Sequence, residues 1–132
     1  MAETERHLLD KLGVKPGSRV AVTALDDPAF MQQLRARTRD VVTRKPRTAC
    51  DIVIAGAESK DDLAKLRVLK TWIEPNGAIW LVRPKGPGSP LRDTDLIEAG
   101  LAAGLVDNKI ASWSETHGAM RFVFRLRDRP PR

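Results

Sequence analysis

The sequence predicts one α/β domain: a mostly parallel sheet between two helical layers, closed by an antiparallel hairpin. Three observations carry this. RVAVTA (Arg19 to Ala24) and DIVIA (Asp51 to Ala55) are runs of small and β-branched residues without polar alternation, the pattern of strands covered on both faces. Each is followed by apolar residues at helical spacing, the alternation that builds parallel sheets. The last run, Met120 to Leu126, alternates instead, with Met120, Phe122, Phe124 and Leu126 set against Arg121, Val123, Arg125 and Arg127. That pattern predicts one covered and one exposed face, typical of antiparallel pairing. A chain of 132 residues suits a single domain that buries roughly two-thirds of its unfolded surface.

In chain order, Thr4 to Leu12 reads as a helix with Leu8, Leu9 and Leu12 on one stripe, ended by Gly13. Lys15-Pro16-Gly17-Ser18 turns into the first strand. Asp27-Pro28 pairs an N-cap with a first-turn proline and starts a helix reaching about Thr38, with Phe30, Met31 and Leu34 inward. Val41 to Thr43 is a short strand, broken by Arg44-Lys45-Pro46-Arg47. Ser59 with Asp62 three residues on opens a helix presenting Leu63, Leu66, Leu69 or Lys70, and Ile73, which Pro75-Asn76-Gly77 stops. Strand Ala78 to Arg83 follows, then the loop Pro84 to Pro90, with three prolines and two glycines. Asp93 caps a helix with Leu96, Ile97 and Leu101 inward and Gly104 as terminator. Val106 to Trp113 pairs with the last strand, and Arg129 to Arg132 is a loose tail.

Composition narrows the function classes. Apolar residues make up 42% and charged residues 30% of the chain, as in an ordinary globular protein. No apolar run reaches the ~18 residues of a membrane span, and the acidic, amphipathic start is neither secretory signal nor transit peptide, so cytoplasmic residence without membrane binding is the expectation. One cysteine, Cys50, excludes an internal disulfide and a thiolate cage, and His7 and His117 lie too far apart to suggest a metal site. Cys50 precedes a buried strand and reads as a small hydrophobe. The net charge is +6, with 15 arginines. Two basic stretches, Arg35, Arg37, Arg39, Arg44, Lys45 and Arg47, and Arg121, Arg125 and Arg127, form a candidate patch for anions or nucleic acid. The first carries no interleaved aromatic residue on which a single strand would stack.

LGVKPGSRVAV, CDIVIAG and LKTWIEPNGAIWLVRPK are similar to the first, fourth and fifth strand regions of the class I methyltransferases, and the helix from Asp93 with LVDNKIA is similar to their last helix and sixth strand. The resemblance implies a Rossmann-like three-layer α/β/α fold with strand order 2-1-3-4-6-5. NGAIWLVRPKGPGSP and WSETHGAMRFV resemble more closely a small bacterial family, domain of unknown function 3052; at His117 the sequence departs from that pattern, where a tryptophan is expected. This second resemblance implies a pared-down methyltransferase-like fold and brings no activity with it.

In the methyltransferases the loop after the first strand carries glycines, and an acidic residue ends the second strand to receive the ribose of S-adenosylmethionine. Here the loop is Ala24-Leu25-Asp26-Asp27-Pro28, and Val41-Val42-Thr43 leads into Arg44 and Lys45. The chain from Thr38 to Asp51 is also too short for two strands. These departures imply a degenerate adenosylmethionine site. The candidate ligand rim at the strand ends is Asp26, Asp27, Gly56 and Lys85. Asp26 and Asp27 read either as ribose acceptors or as a helix cap with an exposed neighbour, and the second reading is adopted. Glu115 could orient His117 as a base, but no nucleophile accompanies them, so no catalytic residue is assigned. The expectation is a binding or regulatory module without catalysis, with a protein or small ligand as partner and a homodimer as a candidate assembly. A small methyltransferase with an atypical loop and a nucleic-acid-associated basic protein are the alternatives.

Overall fold

A computed structural model describes residues 8–129. Thr4 to His7 of the expected first helix and residues 130–132 of the expected tail lie outside the described residues; residues 8–12 are helical. The elements that follow are β1 (Val20–Thr23), α1 (Pro28–Arg37), β2 (Val41–Val42), β3 (Cys50–Gly56), a helical segment, β4 (Ile73–Pro84), α2 (Asp93–Ala102), β5 (Leu105–Ser112), β6 (His117–Phe124) and a closing 3-10 turn (Leu126–Asp128). The sheet order is β2-β1-β3-β4-β6-β5. The first four strands of that order run parallel, and β6 is antiparallel to both its neighbours. This is the predicted fold class and strand order.

Alternation along the central strands divides the core in two. Val20, Val22, Ile52, Ile54, Trp80 and Val82 pack under Leu9, Leu12, Phe30 and Leu34. Ala21, Val53, Ala55, Ile79 and Leu81 pack under Leu63, Leu66, Leu69 and Leu96 on the other face. Each large side chain so buried contributes about 1.5–3 kcal/mol. The Trp80 indole N–H donates to the Leu12 carbonyl (3.0 Å), fixing the first helical turns to the sheet.

Four local expectations are corrected. Between β3 and β4 the chain is not one α-helix: 3-10 turns at Lys60–Lys65 and Lys70–Trp72 flank a single α turn, Leu66–Leu69. Leu63, Leu66 and Leu69 recur every three residues, the period of a 3-10 helix. Second, Pro75-Asn76-Gly77 does not end a helix but lies inside β4. Cys50 pairs with Ile73 and Ile52 with Ala78, so the extra residues form a bulge. Gly77 is needed there, because a Cβ would lie 2.9 Å from the Asp51 carbonyl oxygen.

Third, Arg92 rather than Asp93 is the N-cap of α2, and Leu101 is 47% exposed. The face of α2 that meets the sheet carries Leu96 and Gly100; a Cβ on residue 100 would sit 2.5 Å from the Phe122 ring, so glycine lets the helix lie close and turns Leu101 outward. Fourth, β6 is covered on both faces, with Val123 and Ala119 buried as well as Met120 and Phe122. Arg125 and Arg127 lie beyond the strand, and Leu126 is 79% exposed in the closing turn.

Candidate functional site

The rim at the ends of β1 and β3 is closed by the chain itself. Past Thr23 the backbone turns through Ala24 at φ 55°, a left-handed conformation that side chains disfavour. The turn brings the Ala24 carbonyl onto Gly56: a Cβ built there would fall within the van der Waals envelope of that oxygen. Gly56 does allow a close approach, but the approaching group is Ala24. Thr23 and Ala55 are register partners just below, so the two strand ends lock together.

Asp27 caps α1. Its Oδ1 accepts from the Phe30 N–H (3.0 Å), and its Oδ2 accepts from the Trp113 indole N–H (3.2 Å). The Trp113 and Phe30 rings lie 4.4 Å apart, inclined at 49°. A cleft of about 140 Å³ borders this group, lined by Leu8, Asp27, Phe30, Gln33, Trp113 and Ser114. Asp26 is exposed on the same loop.

Lys85 does not join them. Its Nζ donates to Ser112 Oγ (3.1 Å) on β5, and its backbone N–H donates to the Thr116 carbonyl (3.0 Å). Ser112 lies three strand positions from Gly56, about 14 Å across the sheet. The predicted rim is therefore two places: Asp27 and Gly56 within the β1 and β3 ends, and Lys85 over the hairpin. Glu115 is exposed, and His117 meets Thr116 instead, with Nδ1 2.7 Å from its hydroxyl oxygen.

The cations divide as well. Arg37 donates to Asp10 (3.0 Å) and to the Val14 carbonyl (2.8 Å). Arg35 and Arg39 flank a cleft of about 370 Å³ beside Pro16, Gly17 and Asp40, and Arg44, Lys45 and Arg47 are exposed in the loop between β2 and β3. Arg121 sits four strands away on β6, about 19 Å from β2, paired in register with Trp80 and Lys109. Burial, and then the charge of Arg129, pull its pKa below the usual arginine value. The two basic stretches do not make one surface. Cys50 is fully buried, and burial pushes its thiol up to about 11, which keeps it protonated and unreactive at neutral pH.

Sequence reasoning missed Trp113 and Ser112 as partners of Asp27 and Lys85. Ser112 ends β5 and Trp113 follows it, so both partnerships depend on where the β5–β6 hairpin lies against the sheet, which spacing along the chain does not give. Among the described residues, no cluster of three or more His, Cys, Asp or Glu could hold a metal, and no helix is long and apolar enough to cross a membrane.

The sequence matches no family model and no curated protein. Solved structures do match. A SAM-dependent methyltransferase from Aquifex aeolicus superposes with a TM-score of 0.67 at 12% identity, covering 90% of this chain and 89% of that one. Magnesium protoporphyrin IX methyltransferase from Synechocystis PCC 6803, solved with bound SAM, gives 0.63 at 12% identity over 93% and 79%. Precorrin 8w decarboxylase from Methanobacterium thermoautotrophicum gives 0.60 at 13% identity over 93% and 90%. At these identities the likeness carries the fold alone: the chain has the Rossmann-like fold of the SAM-dependent methyltransferases.

Proposed function

We propose that this chain is a binding or regulatory module on a methyltransferase fold, and that it does not hold S-adenosylmethionine at the strand ends. The observation that carries this reading is the Ala24 carbonyl packed on Gly56. The space a ligand would need against that glycine is filled by backbone. Both Asp27 oxygens are engaged, and the residues after β2 are cations where a ribose acceptor would be needed. The adjoining cleft of about 140 Å³ is well below the ~300–1,000 Å³ of sites that enclose ligands of the size of S-adenosylmethionine. The residues at the rim thus do not fit the cofactor in the family's manner. The motifs shared with domain of unknown function 3052 fall on β4 with its following loop and on the β5–β6 turn with β6, and membership of that family is part of the same proposal.

Thermal unfolding with and without S-adenosylmethionine and S-adenosylhomocysteine tests the reading, with ATP and NAD as controls. A ligand at 100 times its Kd adds ~2.7 kcal/mol and raises the midpoint by several degrees. The expected result is no shift. A rise confined to the two adenosyl compounds overturns the proposal in favour of a small methyltransferase with an atypical loop. Nucleic-acid binding that weakens steeply with salt would instead favour the nucleic-acid-associated alternative, with the cations of the Arg35–Arg47 and Arg121–Arg127 stretches as its candidate surfaces.

A further inference from the structure

A separate cleft opens over the hairpin side of the sheet, with a volume of about 180 Å³. Its walls carry Arg83, Lys85 and Ser112, and Ile110, Gly118 and Met120 line it as well. Arg83 is already committed: it pairs with Asp93 and its guanidinium donates to the carbonyls of Pro84 (3.2 Å) and Leu91 (3.4 Å). Asp93, the one carboxylate among the described lining residues, is occupied by that pair.

Lys85 is different. It is exposed, and among the described residues its one side-chain hydrogen bond, to Ser112 Oγ at 3.1 Å, leaves two ammonium protons to donate. The Ser112 hydroxyl has only a long contact to the Ser114 carbonyl (3.5 Å), so its proton is available to a better acceptor. Two donors thus stand side by side, spaced for the two oxygens of one acid group. Beside them Ile110 is 62% exposed, an uncovered apolar side chain on a sheet strand. Gly118 adds nothing to fill the space: a Cβ there would meet Lys85 Cδ at 3.7 Å.

We propose that this cleft binds a small carboxylate with a short apolar chain, its oxygens on Lys85 Nζ and Ser112 Oγ and its chain against Ile110, above the buried Met120. The volume of about 180 Å³ suits a molecule of a few carbons and is small for a nucleotide. This site goes beyond the function proposed above and does not depend on it.

Methyl NMR of Ile110 and Met120 during titration with butyrate tests it, with inorganic phosphate and propylammonium as separate arms. Butyrate shifts both methyl signals saturably, with Kd in the millimolar range. Lys85→Gln weakens binding by about tenfold, the loss of one charge-assisted hydrogen bond. Gly118→Val fills the cleft and weakens it further. Lys85 is exposed, so its variant keeps the fold, which an otherwise unchanged methyl spectrum verifies. No saturable shift, equal binding by Lys85→Gln, or a response to propylammonium overturns the proposal. Binding of phosphate without butyrate overturns the carboxylate assignment.

Discussion

The carbonyl of Ala24 rests against the Cα of Gly56, joining the turn after β1 to the end of β3 at the point where a ligand of this fold would enter. One residue lies in a left-handed conformation without being glycine, and the other is a glycine for want of space. Substitutions at the two positions therefore act in opposite directions.

Gly56→Ala places a methyl group on the Ala24 carbonyl and forces the strand ends apart. The expected destabilisation is about 3 kcal/mol, measured by denaturant unfolding. An unchanged midpoint would mean that the turn yields freely.

Ala24→Gly relieves a left-handed Cβ worth ~1–2 kcal/mol, offset by ~0.5–1 kcal/mol of added unfolded-state entropy. A net gain of about 0.5 kcal/mol is the expected result of the same measurement.

Asp27→Ala removes the α1 cap and leaves the Trp113 indole N–H without its acceptor. The cap accounts for about 1 kcal/mol and the orphaned donor for about 1 kcal/mol more. Tryptophan fluorescence should change with it, since the Trp113 indole N–H loses the carboxylate it donates to.

The indoles of buried Trp80 and half-buried Trp72 separate cleanly. Trp80→Phe orphans the Leu12 carbonyl and opens a cavity, costing about 2–3 kcal/mol. Trp72 has a buried indole N–H with no hydrogen-bond partner among the described residues, so Trp72→Phe removes a penalty along with volume and leaves stability within about 1 kcal/mol. Parallel thermal melts compare them.

Stability should fall as pH rises from about 9 to about 11 through Cys50. Its thiol ionises near 9 when unfolded and at about 11 when folded, because burial disfavours the thiolate. Between those values the unfolded chain releases a proton that the folded chain keeps, so its contribution is complete below 9 and lost above 11. Cys50→Ala should flatten that part of the curve, read from urea midpoints across the range.

The sheet was legible in the sequence because apolar runs, proline and glycine mark strand limits directly. Asp27-Pro28 announced α1, and the capping geometry followed from residue type alone. What escaped was set by tertiary contact. Pro75 to Gly77 looks like a helix stop, yet pairing with β3 turned it into a strand bulge. Lys85 reads as a rim cation, yet a partner 27 residues later holds it elsewhere. Gly56 was legible as a close approach, but not what approaches it, since that depends on the φ of Ala24.

The placement of β6 also sets the order in which the molecule can assemble. Ile79 to Pro84 of β4 pair with β6, which lies more than thirty residues further along the chain. Until β6 inserts, the outer edge of β4 is a row of open backbone donors and acceptors along apolar residues, the kind of edge that recruits other chains. The Asp27–Trp113 hydrogen bond spans 86 residues and waits on the same event. The Asp27–Trp113 contact therefore cannot form before the hairpin docks, and slow insertion of β6 would be felt first as aggregation rather than as a loosened cap.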